Sequence, residues 1–467
     1  MVFGVRQLTP MERVSVVGAG YVGLVSGVCL SHLGHNVTCV DIDASRVERI
    51  NRGQCPVQEP GLTEMLHRVL EHGRFAATED LRAAVRGSAI TLLAVGTPAG
   101  ETGIDLAYVR EAAAQIGRAL RDKAGYHTVA VKSTVVPGTT DGVVLPLLRQ
   151  HSGKMPGEDF GAGVNPEFLR EGRAVADFMN PDRIVVAGSD ARARQKVEDL
   201  YAVFHGVEII RTNNRTAEMI KYASNALLAT LISFSNEIAN LCDRYPDLDA
   251  MDVMHGVHLD RRLAAVSEDG RRVRPDILSY LLPGCGFGGS CLPKDLEALV
   301  AEARRRGYDP ALLQSVADVN AGQPQRLVGL LKRHFDTLAG RRVGVLGLAF
   351  KPGTDDVRDS PALRVIELLR RESATVIVYD PLVTADGRGV PAGVTVAEDL
   401  EGLARTADAL VLVTSWAPFK ALEEIVPQLA RQPVIVDGRR FFEKAAFRLY
   451  EGIGLGSACA SGEGGGG

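Results

Sequence analysis

The chain has 467 residues, 46% of them hydrophobic and 24% charged, with a formal net charge of -4. That length exceeds one ordinary core and predicts two or three domains, while the charge offers no basic field for nucleic acid. The longest apolar runs, such as residues 409–414, fall far short of a membrane span, no charged-then-apolar leader opens the chain, and seven cysteines without a CxxC pair predict free thiols in a reducing cytoplasm.

After a short N-terminal extension (1–12), residues 14–17 read as a strand that runs into Gly18-Ala19-Gly20-Tyr21-Val22-Gly23 and an apolar helix. Gly18 permits the tight turn, Gly20 lets backbone approach a pyrophosphate, and Gly23 allows close helix–strand packing. The helix start, with Tyr21 and Val22, presents N–H groups and a dipole suited to a diphosphate. A second strand (37–40) ends at Asp41, where a ribose-binding acid belongs. A carboxylate there repels a 2′-phosphate and selects NAD, whereas Arg46 could accommodate that phosphate or simply be solvated. Further strands are expected at 89–95, 128–131 and 184–187, the alternation of a doubly wound parallel sheet. This NAD-binding domain spans 13–210.

Residues 216–245 lack Pro and Gly and carry apolar residues at three- and four-residue spacing, which predicts one helix of about thirty residues. It opens a central helical domain (211–324), and its stripe suits either core packing or a homodimer interface. Within that domain, residues 284–295 hold four glycines in six positions before Cys291-Leu292-Pro293-Lys294-Asp295. Cys291 would sit at a helix entrance beside Lys294, a setting that favours thiolate. Its alternative is a small residue in a tight turn. Strands at 342–348, 375–379, 409–414 and 434–436 and a helix at 363–371 then restart the α/β pattern in a C-terminal domain (325–455), and the Gly-rich tail (456–467) has too little apolar content to fold. The fold class is therefore α/β: two Rossmann-like doubly wound domains joined by a long central helix.

Seven motifs in order, GAGYVG (18–23), AVGTP (94–98), VKSTVVPGTT (131–140), NPEFLREG (165–172), AEMIKYASNALLA (217–229), GFGGSCLPKD (286–295) and GLAFKPGTDDVRDSP (347–361), resemble the UDP-glucose/GDP-mannose dehydrogenase family. The resemblance runs from about residue 13 to 442 and implies oxidation of a nucleotide sugar's primary alcohol to a carboxylate, using NAD twice. It implies that Cys291 is the nucleophile, that Lys221 and Asn225 stabilise oxyanions, and that Asp295 orients water and lysine. Thr134 and Glu167 resemble the pair that positions a water, with Glu167 a candidate base, and Glu171 resembles a second family glutamate near the nicotinamide. Thr97, Thr134, Glu171 and Arg358 resemble cofactor contacts. If Arg358 reaches the cofactor, the active site lies in the cleft between the α/β domains. Lys351 resembles a sugar or diphosphate contact, and Glu167, Phe168, Leu169, Lys221, Asn225, Phe287 and Gly288 complete the substrate set. No metal is expected.

The likeness loosens between 251 and 283. There Asp260-Arg261-Arg262 offers Arg262 as counterpart of an arginine that crosses a dimer interface to the sugar. Leu292 leans toward GDP-mannose-type relatives. TDDVRDSP, Thr414-Ser415-Trp416 and 436–439 lean toward UDP-glucose enzymes, which makes UDP-glucose the first expectation. The degenerate Gly344-x-x-Gly347 turn assigns the C-terminal domain to the nucleotide end of the substrate and not to a second NAD. Two other readings remain: a two-electron hydroxyacid-type dehydrogenase, which needs no cysteine, and a catalytically silent NAD-binding protein.

Overall fold

A computed structural model describes residues 11–100, 103–267, 269–382 and 389–456. The N-terminal extension before residue 11 and the tail after Gly456, with Cys459, lie outside the described residues. By internal contacts the chain divides into two units between Ser224 and Asn225.

The first unit is built on strands β1 (Arg13–Val17), β2 (Asn36–Val40), β3 (Phe75–Thr78) and β4 (Ile90–Leu93), a small hairpin β5 (Ala99–Gly100) and β6 (Gly103–Ile104), then β7 (His127–Val131), β8 (Phe160–Val164), β9 (Arg183–Gly188) and β10 (Glu208–Thr212). Eight of them form one sheet in the order β10-β9-β8-β7-β4-β1-β2-β3. All neighbours pair in parallel except β8 and β9, which meet antiparallel at Gly163 and Gly188. The central strands are buried along nearly their whole length, as parallel strands covered on both faces must be. The order reverses at β1, between β4 and β2, and such switch points are where open α/β sheets bind ligands.

The second unit carries a six-stranded, all-parallel sheet. Its strands are β11 (Arg342–Leu346), β12 (Thr375–Tyr379), β13 (Thr395–Val396), β14 (Ala409–Leu412), β15 (Val434–Asp437) and β16 (Tyr450–Gly452), in the order β13-β12-β11-β14-β15-β16. The expected long helix is a single element, Asn214–Cys242, that runs across the boundary between the units. Its buried positions (Tyr222, Ala226, Ala229, Ser233, Asn236, Ala239) alternate with an exposed row of Leu227, Phe234 and Leu241. Among the described residues no helix is long and apolar enough to cross a membrane.

Candidate active site

The Gly-rich turn of the first unit has the expected division of labour. Gly18 adopts φ +101°, and a Cβ there would lie 2.6 Å from the Ala94 carbonyl oxygen. A Cβ on Gly23 would sit 1.8 Å from the Gly18 carbonyl oxygen, so the helix Tyr21–His32 can approach the turn only without a side chain. Gly20 has nothing within 4 Å of its Cβ position, which leaves open space in front of the helix start. Asp41 closes β2 and is buried. It accepts hydrogen bonds from the Ala19 N–H (2.9 Å), the Asp43 N–H (3.1 Å) and the Arg46 guanidinium (3.0 Å). Arg46 is thus not simply solvated: it is paired with the acid. The tyrosine of the motif is tied elsewhere, its hydroxyl donating to Glu59, which also accepts from the Gly172 N–H at 2.8 Å. Burial first, then Glu59 and the charge of half-buried Glu171, push the Tyr21 phenol upward.

The same unit gathers the NPEF segment and the start of the long helix. Lys221 Nζ lies 2.9 Å from Glu167 Oε1, with both side chains under a tenth exposed. Burial pushes the Glu167 carboxyl up, but the Lys221 ammonium, the Leu169 N–H at 2.6 Å and the Lys132 ammonium outweigh it and hold the group below the ordinary carboxylate range. Phe168 packs beneath cations, with the Arg183 guanidinium 3.8 Å and Lys221 Nζ 5.6 Å from its ring centre. Thr97 donates to the Thr134 carbonyl at 2.9 Å, joining the VGTP and KSTV turns. Glu218, one helical turn before Tyr222, accepts from the Thr140 N–H at 2.8 Å and from the Gly138 N–H, which fixes the PGTT turn.

In the second unit Cys291 is exposed and is the N-cap of the helix Leu292–Arg305, with Pro293 in its first turn. Its carbonyl accepts the Asp295 N–H at 2.9 Å, and its Sγ lies 3.6 Å from Ser290 Oγ. Asn225 Nδ2 donates to buried Asp295 Oδ2 at 2.6 Å, so two of the predicted residues meet directly beneath the cysteine's turn. Lys294, expected to act on the thiol, instead places Nζ 2.5 Å from Asp295 Oδ1. That carboxylate neutralises much of the ammonium's charge, and the helix N-terminus is a second feature that favours thiolate.

The Gly-rich loop is fixed by residues the sequence did not single out. Asn236 Oδ1 accepts from the Gly284 N–H at 2.7 Å, and Asn320 bonds both the N–H (2.8 Å) and the carbonyl (3.1 Å) of Phe287. A Cβ on Gly288 would lie 2.2 Å from the Asp359 carbonyl oxygen, and the Gly289 N–H donates to the Arg358 carbonyl at 3.0 Å. The TDDVRDSP stretch therefore holds the cysteine loop through its backbone. The Arg358 side chain is exposed and lies on Asp356 (2.7 Å), and Lys351 Nζ stands 5.3 Å over the Phe350 ring. Arg262 is 89% exposed and clasped by Asp260 two residues away.

Profiles of three successive domains match this chain: the NAD-binding domain of the UDP-glucose/GDP-mannose dehydrogenase family over residues 12–205, its central domain over 215–322 and its UDP-binding domain over 344–444. The chain belongs to this family. It is similar to the UDP-glucose 6-dehydrogenase of Haloferax volcanii, 40% identical over 446 residues that cover 94% of this chain and 100% of the relative. A GDP-mannose 6-dehydrogenase of Azotobacter vinelandii is 38% identical over 427 residues, 89% of this chain and 94% of that protein. Among solved structures, a UDP-glucose dehydrogenase from Pyrobaculum islandicum is 39% identical with a TM-score of 0.87, covering 96% of this chain and 99% of that one. Membership makes the protein an NAD-dependent oxidoreductase of the nucleotide-sugar 6-dehydrogenases. The open space at Gly20, the crowding at Gly18 and Gly23 and the acid at the end of β2 fit that cofactor.

Proposed function

We propose that the protein oxidises the C6 primary alcohol of UDP-glucose to the carboxylate, with Cys291 as covalent nucleophile. The overall balance is UDP-glucose, two NAD⁺ and water giving UDP-glucuronate, two NADH and three protons. The observation that carries this reading is the exposed Cys291 thiol at a helix N-terminus, above a buried Asn225–Asp295 hydrogen bond.

NAD held at the Gly-rich turn (18–23) and Asp41 would supply the acceptor for two hydrides, one from the alcohol and one from the cysteine adduct. Glu167, ionised beside Lys221, takes the alcohol proton as general base. The thiolate then adds to the aldehyde carbon. The new S–C bond makes a thiohemiacetal, whose oxidation leaves a thioester. Water aligned by Thr134, Glu167 and Asp295 adds to the thioester carbonyl, the S–C bond breaks, and Cys291 regains its thiolate. The carboxylate product and the water's two protons are released, the first proton through Glu167. Lys221 and Asn225, one turn apart on one helix, donate to the oxygen that becomes negative at each addition. Glu171, Thr97 and Arg358 are assigned to the cofactor. Phe168, Leu169, Phe287, Gly288 and Lys351 are assigned to the sugar and diphosphate.

The choice of uracil rests on sequence likeness. Thr414, Trp416 and Arg439, which lean toward UDP-glucose enzymes, hydrogen-bond here to the protein's own Ala349 carbonyl, Asp380 and Val413 carbonyl. NADH formation measured with UDP-glucose, dTDP-glucose, GDP-mannose and UDP-N-acetyl sugars settles the substrate. Two NADH per UDP-glucose are expected, and Cys291→Ser abolishes the full oxidation. One NADH per sugar with free aldehyde released by the wild-type chain refutes the four-electron mechanism.

The reaction is assigned to the cytoplasm, in keeping with six free cysteines among the described residues. A homodimer through the long helix is part of the same reading. Leu227, Phe234 and Leu241 recur every seventh residue and are 52%, 48% and 55% exposed, an apolar row that water does not favour. Arg262, exposed and paired with Asp260, is the residue proposed to reach the partner's sugar. Light scattering should give twice the chain mass, and Phe234→Asp should halve it.

A further inference from the structure

Lys132 follows the apolar strand β7 and is 3% exposed. It donates to two neutral oxygens: Asn165 Oδ1 at 2.9 Å and the Tyr201 hydroxyl at 3.4 Å. Tyr201 also donates to Asn165 Oδ1 at 2.5 Å, and Asn165 Nδ2 donates to the Val185 carbonyl at 2.9 Å, so the amide's orientation is fixed from three sides. These groups line a cavity of about 70 Å³ together with Glu167, Phe168 and Arg183. An ammonium buried against neutral oxygens is expensive, and an apolar residue of the same length would pack there at lower cost. Such a group calls for a reason beyond stability.

The charges around it supply one. Asp177, on the same cavity, is engaged by Arg170 at 2.7 Å. The Tyr201 phenol is pushed far up by burial and stays neutral. Asp182 and Arg183 stand at the more open rim. Of the remaining groups that act on Lys132, Glu167 favours its charge and Lys221 opposes it. One buried carboxylate is thus flanked by two buried ammonium groups, only one of which makes the direct ion pair.

We propose that Lys132 is a positioning residue of the reaction: it locks the Asn165-Pro166-Glu167 segment through the Asn165 amide and keeps Glu167 ionised while Lys221 turns to the substrate oxygen. This rests on the role given to Glu167 above. When Lys221 donates to a developing oxyanion, the carboxylate loses its direct partner, and a second fixed cation prevents it from taking up a proton and ceasing to act as base. Burial, opposed by Glu167 and reinforced by Lys221, lowers the Lys132 ammonium to about 8, so its charge is lost within an accessible pH range.

The test is the pH dependence of kcat and KM for the full-length enzyme with UDP-glucose and saturating NAD, for wild type, Lys132→Met, Lys132→Arg and Glu167→Gln. Lys132→Met should move the acid limb of kcat upward by about one pH unit and lower kcat at neutral pH roughly tenfold, with KM nearly unchanged. Lys132→Arg, whose charge does not titrate, should keep activity and lose the basic limb near 8. Iodoacetamide labelling of Cys291 should be the same in all. A Lys132→Met profile with both limbs in place, or activity lost only in proportion to folded protein, overturns the proposal. So does a Lys132→Arg enzyme that retains the basic limb, which keeps the test decisive if the Met variant does not fold. If Glu167→Gln keeps wild-type kcat, the assignment of the base fails and Lys132 falls with it. If Glu167→Gln is inactive and the Lys132 variants are unmoved, only the Lys132 proposal fails.

Discussion

Three alanines in the first Gly-rich turn should separate folding from cofactor binding. At Gly23 the new Cβ would stand 1.8 Å from the Gly18 carbonyl oxygen. An ordinary contact is about 3.5 Å, so the helix Tyr21–His32 would have to withdraw by more than 1 Å from a sheet against which Leu24, Val25 and Val28 are fully buried. Overpacking of this kind costs about 1–3 kcal/mol, and more where backbone opposes backbone. Gly18→Ala adds the strain of a left-handed φ (+101°) to a contact of 2.6 Å with Ala94, and about 2 kcal/mol or more is expected. Gly20 has φ -71° and open space around its Cβ position, so Gly20→Ala should change stability by less than about 1 kcal/mol. That methyl group nevertheless projects where a pyrophosphate must meet the helix start, so NAD affinity should fall at least about tenfold. Urea unfolding followed by circular dichroism measures the first quantity, and calorimetric titration with NAD the second. Unchanged NAD affinity in Gly20→Ala, or wild-type stability in Gly23→Ala, would refute this account of the turn.

The Glu167–Lys221 pair should appear as a coupling in a double-mutant cycle: Glu167→Gln or Lys221→Met alone costs about 3–5 kcal/mol by stranding a buried charge, and the double variant costs clearly less than their sum. Because the folded carboxyl lies below its ordinary value of 4.5, the pair's contribution is complete above pH 4.5 and is lost as pH falls through the lower folded value; an acid-unfolding curve unaffected by Glu167→Gln contradicts this. His127 is buried, and burial, the Lys123 charge adding to it, lowers its imidazole from 6.5 to about 3. Unfolding free energy should therefore drop as pH falls from 6.5 toward 3, by up to about 1.4 kcal/mol per pH unit, and His127→Gln should flatten that slope. Asn236→Ala leaves the buried Gly284 N–H without its partner. It should cost about 1–3 kcal/mol and loosen the cysteine loop, detected as faster alkylation of Cys291.

The elements read correctly from sequence were those whose apolar pattern was unbroken, such as β1, β7, β11 and the long helix. Strand β8, FGAGV, escaped because alternating glycines read as loop. Here they are required, since Cβ atoms on Gly161 and Gly163 would meet the Tyr126 hydroxyl at 2.3 Å and the Ala187 carbonyl at 2.4 Å. The antiparallel β8–β9 contact was equally hidden, because pairing direction leaves no mark on a five-residue run. At the proposed site, Glu167, Lys221, Asn225, Asp295 and Cys291 were named through motif likeness, but the residues that support them were not. Lys132, Asn165 and Tyr201 are up to sixty-nine positions apart and converge only when β7, β8 and the helix Ala191–Asp199 pack together. A lysine directly after the apolar residues Val129, Ala130 and Val131 was the one local sign of a buried charge. The mixed faces of the long helix were legible as a stripe, while the division of that stripe into buried and exposed rows required the fold.

The two α/β units start alike and diverge where chemistry is decided. In the first, Gly18 (φ +101°) follows β1, its N–H donates to Val40 at 2.8 Å, and Asp41 comes next after β2. In the second, Gly347 (φ +88°) follows β11, its N–H donates to Tyr379 at 2.8 Å, and Asp380 comes next after β12. Yet the helix after Gly18 begins at Tyr21, whereas after Gly347 it begins at Pro361, so the second turn has no helix N-terminus against which a diphosphate could rest. Asp380 Oδ2 is also filled, accepting from the Leu348 N–H (2.7 Å), the Ala349 N–H (3.0 Å) and the Trp416 indole (3.2 Å). That acid cannot turn to a ribose without stranding buried donors. The residues between turn and helix do something else: Phe350 packs against Gly289, and Arg358 binds its N–H, both in the loop that presents Cys291. One NAD per chain is therefore expected by titration, and a second site of comparable affinity would contradict the reasoning. The segment between turn and helix in the second unit thus holds the cysteine loop.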